Sequence, residues 1–204
     1  KRDNDLSYGR NQIAVSCGAK HTLYNLAQVL FEEGDEVLIP SPYWVSYPDI
    51  AVLTGAKPVI VETAAAEGFK LTPQALRTAI TAKTKALIIN SPSNPAGVTY
   101  SLDELAALAD ELVDRGILAI SDDIYEKIIY DGFPFADIAQ VSNRMKELTV
   151  VVNGVSKAYA MTGWRIGYAA GPEAIIAAAT KLQSQNTSNP TSIAQKASVE
   201  ALRG

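Results

Sequence analysis

The chain has 204 residues, of which 48% are hydrophobic and 20% charged, an ordinary composition for a folded protein with one substantial core. Its net charge of −4 and scattered Lys and Arg residues offer no basic surface for nucleic acid. One Cys and one His exclude an internal disulfide and the usual zinc ligand sets, and no apolar run approaches the roughly 20 residues of a membrane helix. The start, KRDNDLSYGR, has no apolar core of a signal peptide, which reads as a cytoplasmic protein. The first residue is Lys1 rather than Met, which reads as a piece of something longer.

Residues 1–10 are polar and read as irregular. Ile13 to Ser16 predicts a short strand, with Cys17 as a small buried residue at its end. Gly18, Ala19 and Lys20 form a small-residue turn into an amphipathic helix from His21 to Phe31. Glu36 to Pro40 is the next strand, followed by Ser41-Pro42-Tyr43-Trp44 and a helix to about Leu53. Lys57 to Glu62 is a strand, Thr72 heads a helix with Pro73 in its first position, and Ala86 to Asn90 is a strand that empties into SPSNPAG. Ser101 with Glu104 predicts a capping box on a helix ending near Gly116, and Ile117 to Ser121 is a strand that delivers Asp122. Leu148 to Val152, Gly163 to Ala170 and the helices from Pro172 to about Gln185 and from Ser192 complete the alternation. Strands that are continuous apolar runs separated by helices predict an α/β fold, a mostly parallel sheet with helices on both faces.

Lys157 follows an apolar run, where open α/β sheets place their chemistry, and Arg165 lies eight positions on in TGWRIG. A lysine there is either a solvated loop cation or a desolvated amine able to form a Schiff base with an aldehyde. Taken singly, the other candidates also have plain alternatives. Asp122 is a turn acid or a buried carboxylate at a strand end, and Asn94 is a turn residue before Pro95 or a hydrogen-bond donor. Arg165 is a surface cation or a planar fork for phosphate oxygens; Trp44 is a core aromatic or a stacking surface. The small turn at Gly18 to Lys20 is a connector or, through the free N–H groups of a helix start, an anion site.

SPSNPAG, SDDIYE and SKAYAMTGWRIGY, in this order, resemble the class I aminotransferases of pyridoxal-phosphate fold type I, most closely the bacterial aspartate aminotransferases, from about Val15 to the last residue. The resemblance implies pyridoxal 5′-phosphate as cofactor, linked covalently to Lys157, which also moves the substrate's α-proton. It implies Asp122 facing the pyridine nitrogen, since the DxxY pattern selects Asp122 over Asp123, and Tyr125 and Asn94 as donors to the ring oxygen. Trp44 stacks on the ring, Gly18, Ala19, Lys20 and Arg165 surround the phosphate, and Ser156 substitutes for a family serine whose position is Gly154 here. Ala96 stands where the family usually has Thr, which leaves no side-chain role at that position.

The substrates implied are an amino acid and a 2-oxo acid: aspartate, or a glutamate- or prephenate-type dicarboxylic compound, with 2-oxoglutarate as amino acceptor. Lys20, Trp44 and Asn94 contact substrate, and Lys20 meets its distal carboxylate. An aromatic or broad-specificity aminotransferase is the alternative within the family. A non-catalytic cofactor-binding fragment is the alternative outside it, and a dinucleotide-binding domain lacks the G-x-G-x-x-G that it needs after the first strand.

By the same resemblance, residues 1–185 are the cofactor-binding large domain and 186–204 begin the connection toward a small domain. The full-length protein is a homodimer in which a partner tyrosine reaches the cofactor phosphate. The resemblance also implies that the arginine for the substrate α-carboxylate lies near the end of the small domain, beyond Gly204; Arg2, Arg10, Arg77, Arg115, Arg144 and Arg203 occupy polar or helical surface contexts with no motif that marks them for this role. This segment alone is therefore expected to transaminate poorly or not at all.

Overall fold

A computed structural model describes residues 3–204, so Lys1 and Arg2, and what the sequence suggests for them, lie outside the described residues. Seven strands form one sheet: β1 (Ile13–Ser16), β2 (Glu36–Pro40), β3 (Lys57–Val61), β4 (Thr84–Asn90), β5 (Leu118–Asp122), β6 (Thr149–Gly154) and β7 (Gly167–Ala170). Their spatial order is β1-β7-β6-β5-β4-β2-β3. The run from β6 to β3 is parallel, while β7 is antiparallel to both β6 and β1. Among the described residues, helices α1 (Ala19–Leu30), α2 (Ser46–Val52), α3 (Pro73–Ala79), α4 (Leu102–Val113) and α5 (Asn143–Glu147) lie between strands, and α6 (Glu173–Ser184) and α7 (Ser192–Arg203) follow β7.

The central strands carry continuous apolar runs because both faces of the sheet are covered there, while the edge strands β1 and β3 are partly exposed. Val37, Ile39, Ala86 and Ile88 pack with Leu23 and Leu26 of α1 and Ile176 of α6 on one face. Leu38, Leu87 and Ile89, alternating with them, pack with Leu76 of α3, Leu105, Leu108 and Leu112 of α4, and Met145 of α5 on the other. Each fully buried side chain of this size contributes about 1.5–3 kcal/mol of transfer free energy. The helix starts follow their local chemistry. Thr72 accepts a hydrogen bond from the Ala75 N–H at 3.2 Å. Ser101 and Glu104 cap α4 reciprocally, at 3.2 and 2.7 Å.

Three expectations shift. The last strand begins at Gly167 rather than Gly163, because Thr162–Trp164 form a 3-10 turn and Arg165 has φ 53°, a left-handed conformation that no strand accommodates. Helix α1 starts at Ala19, two residues earlier than its apolar spacing suggests, since the backbone turns at Gly18. Cys17 is half-exposed just past β1 rather than buried, and its N–H donates to Nδ1 of His21 at 3.2 Å. The short helix α5 carries no strong periodic signal and is visible only through its cap, the Ser142 hydroxyl accepting from the Met145 N–H at 3.1 Å. Among the described residues no helix is long and apolar enough to cross a membrane.

The carboxyl ends of β2, β4, β5 and β6 all open on one side, and the chain order reverses between β2 and β4. In open parallel sheets that reversal leaves a crevice for ligands. The start of α1 reaches the same crevice because β7 begins at a glycine. A Cβ at Gly167 would lie 2.3 Å from the Ala19 nitrogen and 2.4 Å from the Gly18 carbonyl carbon. Gly167→Ala is therefore expected to cost about 1–3 kcal/mol or more, as overpacking against backbone does. Urea unfolding measures it, and an unchanged midpoint would mean that β7 and the start of α1 do not touch.

Candidate active site

At the mouth of the crevice lies a cavity of about 280 Å³, close to the lower end of the range for small-molecule pockets. The structure brings to its walls Ala19, Lys20, Trp44, Asn94, Asp122, Tyr125, Ser156, Lys157 and Arg165, all singled out from the sequence, with Gly18 directly behind. The peptide bonds before Pro42 and Pro95, in the turns that bear Trp44 and Asn94, are cis.

Asp122 is the last residue of β5 and is only 4% exposed. Burial pushes its carboxyl up to about 6, while the Tyr47 hydroxyl, donating to Oδ2 at 2.6 Å, and the Ile124 N–H, donating to Oδ1 at 3.3 Å, favour the charged form. Tyr47 is itself buried on α2, and its hydroxyl is held well above its ordinary pKa first by burial and then by the charge of Asp122, so it remains a donor. Asn90, at the end of β4, completes the frame: its Nδ2 donates to the Asp122 carbonyl at 2.7 Å and its Oδ1 accepts from the Asn94 N–H at 2.8 Å. One side chain thus ties the end of β5 to the turn that carries Asn94.

Tyr47 and Asn90 were not among the sequence candidates. Tyr47 lies in the first turn of α2, three positions after Trp44 in the preceding turn, and the two rings meet edge to face at 5.3 Å. Asn90 ends an apolar run as Asp122 does, which was its available signal.

The opposite wall is cationic. Gly18 has φ 94°, and a Cβ there would fall 2.1 Å from Nη2 of Arg165, so only glycine lets the guanidinium lie over this turn. Nη1 of Arg165 donates to the Thr162 carbonyl at 2.7 Å, a bond made across the left-handed turn. The guanidinium therefore rests beside the start of α1, whose first N–H groups have no intrahelical acceptor, an arrangement that attracts an oxyanion. Ser156 is buried at 8% exposure on the same wall, whereas Gly154 is the last residue of β6 and would press a Cβ to 2.7 Å from the Ile166 carbonyl oxygen.

Lys157 stands three residues beyond β6, with Nζ 5.6 Å from the centre of the Tyr125 ring. Its side chain is exposed to the cavity rather than desolvated, so burial does not by itself distinguish it from the solvated alternative. Lys20 lies on the outer rim with Nζ 4.8 Å from the centre of the Trp44 ring, a cation–π contact. A buried carboxylate, an amine, an aromatic face and an anion site thus surround one space. That donor set fits a planar, positively charged heterocycle bearing an aldehyde and a phosphate. Among the described residues no three His, Cys, Asp or Glu side chains group so as to hold a metal ion.

The raised pKa of Asp122 has a consequence for stability. The native state holds this proton more tightly than the unfolded chain, so its contribution is fully present below about 3.8 and is lost as pH rises through about 6. Asp122→Asn, neutral at every pH, is expected to gain on the wild type by on the order of 3 kcal/mol between pH ~4 and pH ~7. Urea unfolding of the ligand-free protein at both pH values measures the difference; parallel pH dependences would contradict the burial of this charge.

Comparison with known proteins identifies the relatives of this chain and of its fold. The chain is 56% identical over 204 residues to the aspartate aminotransferase of Bacillus subtilis (strain 168), covering all of this chain and 52% of that protein. It is 52% identical over 205 residues to a probable aspartate/prephenate aminotransferase of Rickettsia bellii (strain RML369-C), covering all of this chain and 51% of that one. Its fold superimposes on the crystal structure of the aspartate aminotransferase from Rhizobium meliloti with a TM-score of 0.98 at 48% identity, covering all of this chain and 51% of the other. The chain therefore spans about half the length of the relatives it matches. The family model described as aminotransferase class I and II matches residues 1–204, and the chain belongs to that family.

Proposed function

We propose that the intact protein is a pyridoxal-phosphate-dependent aminotransferase that transfers the amino group of aspartate to 2-oxoglutarate. The observation that carries this reading is the convergence of Lys157, the buried Asp122 and the Arg165 guanidinium on one cavity. Bound there, pyridoxal phosphate would supply an aldehyde for the amine of Lys157 and a protonated ring that draws electrons from the substrate's α-carbon. Asp122 Oδ1 or Oδ2 would accept the ring N–H, with Tyr47 keeping the carboxylate charged and oriented. Arg165 and the first N–H groups of α1 would hold the phosphate, assisted by Gly18, Ala19, Lys20 and Ser156. Asn94 and Tyr125 would donate to the ring oxygen, and Trp44 would cover the ring. The Nζ of Lys157, once free, would take the α-proton and later return it.

For the substrate, Lys20 would receive the distal carboxylate, a role supported by its position as a cation on the cavity rim. Residues 1–185 would form the large, cofactor-binding domain and 186–204 the start of the connection to a small one. In this structure Ala194 of α7 already packs on Val155 and Ile166, beside the Lys157 and Arg165 segments. The complete enzyme would be a cytoplasmic homodimer, the partner and the small domain supplying a tyrosine and the arginine for the α-carboxylate.

Borohydride reduction of the protein incubated with pyridoxal phosphate, followed by peptide mass spectrometry, is expected to place the label on Lys157. Label on Lys20 or Lys181 with none on Lys157 would end the reading. In the full-length enzyme, Lys20→Ala is expected to raise KM for aspartate by about ten- to a hundredfold, the loss of one charge-assisted hydrogen bond, with little change for an aromatic amino acid. Steady-state kinetics with both donors reads this directly, and equal effects would assign Lys20 away from the distal carboxylate.

A further inference from the structure

Directly after Asp122 the chain carries a second acid, Asp123, that is 0% exposed, and Asp137, fourteen positions later, is 1% exposed. Between them the backbone leaves β5, swings out with Tyr125 on the cavity wall, and returns to a 3-10 turn over Ile138–Gln140. The two acids therefore stand at the two ends of one loop.

Each carboxyl has one oxygen satisfied. The Ser121 hydroxyl donates to Asp123 Oδ1 at 2.8 Å, and the Ala139 N–H donates to Asp137 Oδ1 at 2.6 Å. The remaining oxygen of each, Oδ2, is buried and has no donor among the described residues; the Tyr8 hydroxyl is buried near them, likewise without a partner. Two carboxylates left in this state would each bear an uncompensated desolvation cost of several kcal/mol. A single proton removes most of that cost, because it neutralises one acid and turns its bare oxygen into a donor for the other.

We propose that Asp123 and Asp137 share one proton, and that the resulting carboxyl–carboxylate hydrogen bond is a clasp that closes the loop between them and positions Tyr125 at the cavity. The Asp123 carboxyl is accordingly pushed well up, by burial first and then by the charge and hydrogen bond of Asp137. Further groups face the pair from every side: Tyr8 from the N-terminal segment, Ser121 from β5, Glu126 from the loop, Tyr47 from α2 and Tyr168 from β7. A second strap lies outside it. Asn4 donates from Nδ2 to Glu126 at 2.6 Å and accepts at its carbonyl from Gln140 Nε2 at 2.7 Å, bridging the same two ends. The clasp's contribution is fully present below the ordinary carboxylate range and is lost as pH rises through the raised value of Asp123.

Asp123 and Asp137 are positioning residues, and the role of Tyr125 rests on the aminotransferase reading, so the test uses the full-length protein free of cofactor. The infrared spectrum is expected to show a buried protonated-carboxyl C=O band that persists above the ordinary carboxylate range and that the Asp123→Asn variant separates from any band of Asp122. That band should be absent in Asp123→Asn. Hydrogen exchange of the amides of residues 124–133 and 135–136 should quicken by about tenfold or more in Asp137→Ala and stay near wild type in Asp137→Asn, whose amide can donate in place of the proton. The same exchange, corrected for base catalysis, should rise with pH in the wild type and not in Asp137→Asn. A missing band in the wild type, a band untouched by Asp123→Asn, or equal exchange in the Asn and Ala variants at 137 would overturn the clasp. If Asp137→Ala does not fold, the band comparison decides. Failure of any of these leaves labelling at Lys157 unaffected, so the two readings fall separately.

Discussion

A buried carboxylate at the end of a central strand constrains everything around this cavity. Asp122 cannot be left there without donors, and the donors come from three different parts of the chain: Tyr47 from α2, the Ile124 N–H from the following loop, and, through its carbonyl, Asn90 from β4. Each attachment has a second task. Tyr47 holds Trp44 edge-on, and Asn90 holds the Asn94 turn. The buried acid is thus also what registers the side walls of the cavity, and the hydrogen bonds from Tyr47 and the Ile124 N–H offset part of the cost of its burial.

The opposite wall obeys a steric rather than an electrostatic rule. Gly18 and Gly167 let two segments far apart in sequence approach to backbone contact, and the missing side chain at Gly18 is the space the Arg165 guanidinium fills. On the proposed reading, an anion held here would meet a guanidinium and N–H groups already brought together by this close approach, which would limit the reorganisation needed.

Much of this was legible in the sequence, for identifiable reasons. Apolar runs such as ALIIN and LTVVV declare buried parallel strands, while Asp122 and Lys157, each with a plain alternative when taken singly, stand out through the ordered set of SPSNPAG, SDDIYE and SKAYAMTGWRIGY. The Ser101–Glu104 capping box is local chemistry and reads directly. What did not read was whatever depends on a partner distant in the chain. The left-handed turn at Arg165 shortens β7 because the guanidinium is needed over Gly18, almost 150 positions earlier. Tyr47 looks like any helix aromatic until β5 brings Asp122 beneath it, and Asp123 and Asp137 look like turn acids until the sheet buries both.

The antiparallel return of β7 against β6 has a consequence for how such a site comes into being. Lys157 and Arg165 lie on the connection of a single hairpin, with Gly154 opposite Gly167, so a short closure brings them together at small entropic cost. Asp122, Asn94, Trp44 and Lys20 arrive only through parallel crossovers, each of which must order a helix and span the sheet. Contacts between residues distant along the chain generally form later and more slowly. During synthesis, too, the segments bearing Lys20, Trp44, Asn94 and Asp122 emerge first and wait for β6 and β7, so the amine and the guanidinium enter as the closing pair of a pocket whose other walls precede them in the chain.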